Sequence, residues 1–385
     1  MNIVFFDSAG GNAYSARSLD TADNGLGGAE ATLARVAIEF ADRGSSVTVV
    51  QPGLGRADMR EAGVRWIGSA IADEAVAAAD VIVVQRRIAD AWAIRKKNRS
   101  ARIIVWYHDW YCLRGVQEAG PAYRTVAKNV LKANLRAAMH LLGRIDMVAV
   151  SETHKQAIDA YFRWTVLSGR VARSDTFCQV VYNPVSKDIE RPEDIAFDRN
   201  KLIFFSAPWK GLSVVKEAFA RLNQRIPELR LYVASPSYGY QGQDTQQPDN
   251  VIELGSLTHA ELTRHVAGAL CVFYPAHVVP ETFGLVFVES HALGTPVLAH
   301  PFGSAPEMLT APELVDSADD QQIFERISAW REGQRPAVGA QARFARSQVM
   351  ARWARVLGIS ASPAGVTGQA AANQLVGDNS AEFPH

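Results

Sequence analysis

A chain of 385 residues with 48% hydrophobic side chains is long enough to bury two cores of ordinary size. Its 40 Lys+Arg balance 40 Asp+Glu, so no overall charge draws it to nucleic acid, and three scattered cysteines without a C-x-x-C pair argue against a zinc cluster or a disulfide framework. The opening MNIVFFDSAGG is too brief for a signal peptide and no stretch approaches about 18 uncharged apolar residues, so the expectation is a soluble protein of the reducing cytoplasm.

The balance hides an asymmetry: residues 1–185 hold 23 Lys+Arg against 18 Asp+Glu, leaving 17 against 22 beyond them. The first part is therefore the basic one. It opens with the apolar run Asn2 to Phe6, a buried strand by its pattern, followed by a long loop from Asp7 to Leu26. GLGGAE, Gly25 to Glu30, then starts a helix with Leu33, Val36, Ala37 and Phe40 on one face. A dinucleotide fingerprint is not met, because Glu30 stands where the third glycine belongs and the cluster lies far from its strand. Gly27 and Gly28 suit either a flexible turn or a phosphate cradle at a helix start.

Arg43 to Val50 reads as a turn and a second strand. Further strands are predicted at Val81 to Val84, Ile103 to Tyr107 and Met147 to Val150, each flanked by helical stretches, the alternation of a doubly wound sheet. Ile103 to Tyr107 runs into His108 and Asp109, at the strand end where functional groups collect in such sheets. Asp109 either orients the imidazole or caps a helix. From Ala119 to Ile145 no acidic residue occurs, while Arg124, Lys128, Lys132, Arg136 and Arg144 recur at helical spacing and Leu131, Leu135, Met139 and Leu142 take another face. Such a stripe is either a solvated face or a contact for anionic lipid or glycan, the latter implying peripheral attachment to the inner face of a membrane.

Ser186 to Lys201 is polar and interrupted by Pro192, and reads as a linker between a first domain, 1–185, and a second, 202–340. The second opens with the strand Leu202 to Phe205, and Lys210–Gly211 follow where strand gives way to helix, a place for a lysine to pair with a diphosphate. Strands are predicted at Leu229 to Ala234, Val251 to Leu254, Val272 to Tyr274 and Val297 to Ala299. His259, His265, His291 and His300 read as structural or exposed. Between the last two strands lies PETFGLVFVE, Pro280 to Glu289, a loop passing into a helix that Gly294 and Pro296 end. Glu281 then sits at the helix mouth and Glu289 inside it. A helix mouth binds phosphate through unpaired N–H groups, and the two carboxylates suit neutral hydroxyls on either side of a diphosphate. An amphipathic helix, 341–358, and an aperiodic tail, 359–385, complete the chain.

PETFGLVFVE resembles the E-x7-E motif of glycosyltransferase family 4, retaining enzymes of the two-domain GT-B fold that use nucleotide-sugar donors. The resemblance implies an α/β architecture of two Rossmann-like doubly wound domains facing an interdomain cleft, with the last helix crossing back to the first domain. It implies that Glu281 faces the donor sugar, that Phe283, Gly284 and Leu285 present amides to the diphosphate, and that Glu289 holds the ribose. GGAE resembles the family's GG-x-E loop, which makes Gly27 and Gly28 donor contacts, and His108 resembles its strand-end histidine, a contact to donor sugar and phosphate. Lys210–Gly211 resemble its K-G signature, although the family's Arg about five residues earlier is missing here. FGSAPEML resembles its G-x-x-E turn and makes Glu307 a further candidate.

The implied reaction transfers a sugar from a nucleotide-diphosphate sugar, with UDP- and GDP-sugars foremost, to a glycan, glycolipid or small-molecule hydroxyl. Retention follows from the resemblance. With no D-x-D pattern in the chain, neither a metal nor a cofactor is called for. Two other classes stay open: a GT-B sugar-nucleotide epimerase, and an inactive nucleotide-sugar-binding protein. Two-carboxylate hydrolysis fits poorly, since a helix glutamate and a loop glutamate are badly placed to flank one bond.

Overall fold

The computed structural model describes residues 1–20, 26–110, 123–163, 165–166, 178–186, 189–235 and 249–359, and for 123–126 the backbone alone. Cys112, the Arg124 side chain, the loop after Trp110 and the expected tail from residue 360 onward lie outside the described residues.

Two sheets carry the chain. The first contains β1 (Asn2–Phe6), β2 (Ser46–Gln51), β3 (Asp58–Glu61), β4 (Val64–Gly68), β5 (Val81–Gln85), β6 (Arg102–Trp106), β7 (Ile145–Ala149) and β8 (Cys178–Val180), in the order β3-β4-β2-β1-β5-β6-β7-β8. All neighbours are parallel except β3 and β4. The second contains β9 (Asp198–Phe205), β10 (Arg230–Ala234), β11 (Val251–Gly255), β12 (Ala269–Tyr274) and β13 (Val297–Ala299), in the parallel order β11-β10-β9-β12-β13. The central strands β5 and β12 are buried along their whole length, which explains why they read as unbroken apolar runs.

Connecting helices in the first half are α1 (Gly28–Asp42), α2 (Asp73–Ala77), α3 (Ile88–Lys97), α4 (Tyr123–Gly143) and α5 (Glu152–Arg163). Those in the second half are α6 (Leu212–Arg225), α7 (His259–Ala267), α8 (Leu285–Ala292), α9 (Ala305–Met308), α10 (Asp320–Ala329) and α11 (Arg346–Leu357). β9 begins at Asp198, inside the stretch read as linker, because Asp198 pairs with Ala269 at the foot of β12. The final helix α11 buries Val349, Met350 and Trp353, and Trp353 meets Trp106 of the first sheet edge-on at 4.6 Å between ring centroids. Arg346 at its start forms an ion pair with Glu39 of α1. The last helix therefore rests on the first sheet and closes the chain back over its beginning.

α4 departs from the amphipathic order of its neighbours. Its buried positions are the small Ala133, Ala137 and Gly143 together with His140, whereas Leu131, Leu135 and Leu142 are 70%, 55% and 77% exposed.

Candidate active site

In both sheets the parallel strands end toward one cleft, the place where open α/β sheets collect ligand groups. The cavity there measures about 730 Å³, ample for a drug-sized ligand. Its walls come from the two halves of the chain.

The wall from the second half is built on α8. Gly284 precedes it with φ 77°, a left-handed conformation, and a Cβ on it would fall 2.4 Å from the Phe287 ring. Glycine is therefore required there twice over, and its presence turns the chain abruptly into the helix. The Phe283 side chain is buried against Tyr182 and Phe344, so what Phe283, Gly284 and Leu285 offer the cleft at this point is largely backbone. Helix-start amides lack intrahelical acceptors and carry the positive dipole end. Glu281 lies just before this mouth and is 8% exposed. It accepts bonds from Lys210 Nζ at 2.7 and 2.9 Å and from the Tyr274 hydroxyl at 2.9 Å. Lys210 itself ends a short turn, Pro208–Lys210, directly after β9, and Gly211 at φ 109° starts α6. Lys210 and Glu281 are thus each other's partners. Glu289, one turn into α8, faces Arg35 of α1 across the cleft at 3.5 Å.

The wall from the first half is a charge cluster. Arg86 follows β5 with φ 65°, an uncommon conformation for a residue with a side chain. Its Nη1 donates to Glu30 at 2.8 Å and its Nε lies 2.8 Å from Asp109. Burial opposes its charge, yet the neighbouring Glu30 and Asp109 carboxylates outweigh that and hold its proton more firmly than usual. Asp7, at the end of β1, accepts from the amides of Ala9 and Gly10 at 3.0 Å each and from the Tyr14 hydroxyl at 3.1 Å. Its pKa is raised by burial first and by Glu30 second.

Gly27 caps α1 without a side chain, and a Cβ on it would strike the Glu30 carboxylate at 2.2 Å. Gly28, the first helical residue, lies so near Leu285 that an added Cβ would be 3.2 Å from it. The starts of α1 and α8 therefore face one another across the cavity, joining the glycine loop to the Glu281–Glu289 stretch. His108 is buried beside Trp106 at 4.5 Å between ring centroids, with its Nε2 3.5 Å from the Gln85 amide nitrogen. Burial above all, and then Arg86 and His154, depress its pKa well below the usual histidine value, so the ring is neutral. Its carbonyl accepts the Thr282 hydroxyl at 2.6 Å, a direct tie between the two walls.

Glu307 is placed elsewhere. It accepts the backbone N–H groups of Glu152 and Thr153 at 3.0 and 2.8 Å and the hydroxyls of Thr153 and Tyr182 at 2.8 and 3.0 Å. A carboxylate from the second half thereby caps α5 in the first. It is a clamp between the walls and does not line the cavity.

Arg35, Arg86 and Asn183 also line the cavity, although the sequence reading gave none of them a site role. Asn183 Oδ1 is buried with no hydrogen-bond partner among the described residues, a polar atom poised for a ligand. His259, read as structural or exposed, also lines the cleft at the start of α7. The strand-end rule that singled out His108 would equally have found Arg86, which directly follows β5.

Residues 186–346 match the family model described as "Glycosyl transferases group 1". Over 183 residues, 39% of this chain and 40% of the relative, the sequence is 29% identical to a D-inositol 3-phosphate glycosyltransferase from Nocardioides sp.. The match thus spans about two fifths of that protein. Among solved structures, a sucrose-phosphate synthase from Thermosynechococcus elongatus superposes with a TM-score of 0.64 at 17% identity, covering 92% of this chain and 98% of the other. A UDP-forming trehalose-phosphate synthase from Burkholderia xenovorans gives 0.62 at 12% identity, covering 93% and 100%. The fold is GT-B, and the stretch that matches the glycosyl transferases group 1 model lies in its second half.

Proposed function

We propose that this chain is a retaining glycosyltransferase of family 4, moving a sugar from a nucleotide-diphosphate donor to an acceptor hydroxyl on a glycan, glycolipid or small molecule. One observation carries the reading. The starts of α1 and α8 face each other across a cavity that also holds the Lys210–Glu281 pair. Breaking a glycosyl–phosphate bond leaves growing negative charge on the departing diphosphate, and groups preorganised to meet that charge lower the barrier most.

Lys210 supplies a cation. The helix-mouth amides of Phe283, Gly284 and Leu285, and those of Gly27 and Gly28, supply dipoles. When Lys210 turns toward the phosphate, the Glu281 carboxylate becomes available to accept a sugar hydroxyl while still holding the Tyr274 hydroxyl. Glu289 would accept from the ribose, and Arg35 beside it offers a second cation in place of the arginine missing before Lys210. His108, neutral and fixed by its strand, would contact the sugar and phosphate as a hydrogen-bonding group. In a retaining reaction of this kind the departing phosphate takes the acceptor's proton, and no metal ion is required in this reading. A UDP- or GDP-sugar is the proposed donor. A cytoplasmic location with peripheral membrane contact belongs to the same reading, supported by the buried free thiols of Cys178 and Cys271 and by the basic α4.

Product analysis tests it. Wild type is incubated with UDP- and GDP-sugars and an acceptor panel, and products are resolved by mass and sugar composition. Sugar on the acceptor with release of nucleoside diphosphate supports the proposal. A changed sugar still attached to nucleotide would identify an epimerase, and donor binding without turnover across the panel would identify a binding protein.

A further inference from the structure

The geometry points to α4 as a docking face for an anionic bilayer surface. The inference deepens the peripheral membrane contact of the proposed function and rests on that part of it, naming the surface that makes it. Ten large apolar side chains are exposed among the described residues, and four of them, Leu131, Leu135, Leu142 and Val166, gather on this one face. At about 100° per residue the three leucines fall within an arc of about 40°. Val166, 90% exposed, joins them because its N–H bonds to Asn134 Oδ1 of α4 at 3.0 Å. Leu131, Leu135 and Leu142 face outward, while Met139 and Leu141 pack partly against the core and Ala133 and Ala137 let the helix lie close on the sheet. In α5 and α11 the order is the usual one, with Ile158, Phe162, Val349 and Trp353 facing inward.

Charge decides the occupant. Tyr123–Gly143 contains no acidic residue, and the exposed Lys128 and Lys132 run along the edge next to the leucines. Arg163 on α5 is exposed as well. Arg136, the next in the row, donates to the Tyr161 hydroxyl at 2.9 Å and so anchors the helix to its neighbour. A line of leucines bordered by lysines is the composition of a helix that lies in the plane of a membrane, with apolar side chains among the acyl chains and ammonium groups at anionic headgroups. A second copy of the chain would bring these lysines against their own kind.

The test is flotation of the full chain with phosphatidylcholine vesicles, with and without about a third phosphatidylglycerol. Wild type is expected to float with the anionic vesicles and at least tenfold less with the neutral ones. Leu131→Ser/Leu135→Ser/Leu142→Ser and, separately, Lys128→Gln/Lys132→Gln are each expected to lower the bound fraction about tenfold or more. Both sets alter exposed positions, so unfolding temperature and nucleotide-sugar binding should be unchanged, which separates failure here from failure of the glycosyltransferase reading. Wild type that stays with the unbound protein, or variants that float as well as wild type, overturn the proposal. So does wild type that self-associates in sedimentation through the leucines without binding vesicles.

Discussion

The two walls of the cleft handle charge in opposite ways. On the α8 wall one cation meets one carboxylate, Lys210 with Glu281, and the pair sits beside a ring of backbone amides. On the facing wall Arg86 is held by Glu30 and Asp109 with Asp7 close by, so carboxylates outnumber the cation in that cluster, while Arg35 of α1 stands apart from it opposite Glu289. A single lysine in a pair of the first kind can turn to an incoming diphosphate, provided ligand hydroxyls then satisfy the carboxylate it leaves. A cluster of the second kind repels anions and receives hydroxyls, because the guanidinium is already engaged. In the proposed reading the diphosphate therefore lies beside α8, with the start of α1 reaching it from the other side, and the Arg86 cluster takes an uncharged, hydroxyl-rich part of the ligand.

Substitutions that separate the walls put this to the test. Arg86→Met leaves Glu30 and Asp109 half-buried without their cation, and should cost about 3–5 kcal/mol of unfolding free energy in urea while nucleotide binding by the remaining folded protein persists. A loss of donor binding instead would place the diphosphate on the wrong wall. Gly284→Ala forces a side chain into a left-handed position against the Phe287 ring. It should cost about 2–4 kcal/mol and, unlike Arg86→Met, weaken donor binding along with stability.

Glu307→Gln removes the charge that caps α5 across the domain boundary. A loss of about 1–2 kcal/mol is expected, with donor binding weakened only by less frequent closure, readable as a rise in KM at constant kcat. The last prediction concerns pH. His108, His140 and His154 are buried neutral; burial depresses His140 to about 4 and His154 to about 3. Their unfolded forms take up protons near the ordinary value of about 6.5, so stability is complete above that pH and is lost as pH falls from there toward 4. Each contributes about 1.4 kcal/mol per pH unit in this window. Thermal midpoints measured from pH 7 to 4 should fall, and His140→Gln should flatten the slope by about one proton.

Legibility followed the same division between the walls. The α8 wall is nearly contiguous in sequence, so Glu281, Gly284 and Glu289 could be read together, and buried parallel strands such as β5 and β12 announced themselves as apolar runs. The opposite wall converges from Asp7, Glu30, Arg86 and Asp109, and nothing local in the chain brings four such distant residues together. β3, the charged DMRE, and β8, only three residues long, carry no apolar period and were missed for that reason, and β4, VRWIG, was missed as well despite its apolar residues. The leucines of α4 were visible as a face, but which face packs is decided by the sheet beneath. There Ala133 and Ala137 lie innermost, Met139 and Leu141 pack in part, and Leu131, Leu135 and Leu142 are left outside.

The most direct measurement is calorimetric titration of UDP-, GDP-, ADP- and dTDP-sugars into wild type, Lys210→Ala and Glu289→Ala. Binding of one nucleotide series, weakened by about 1–3 kcal/mol in each variant as for lost charge-assisted hydrogen bonds, is the predicted result. Absence of binding to all four, or binding indifferent to both substitutions, would contradict the assignment of the α8 wall to a nucleotide-diphosphate sugar.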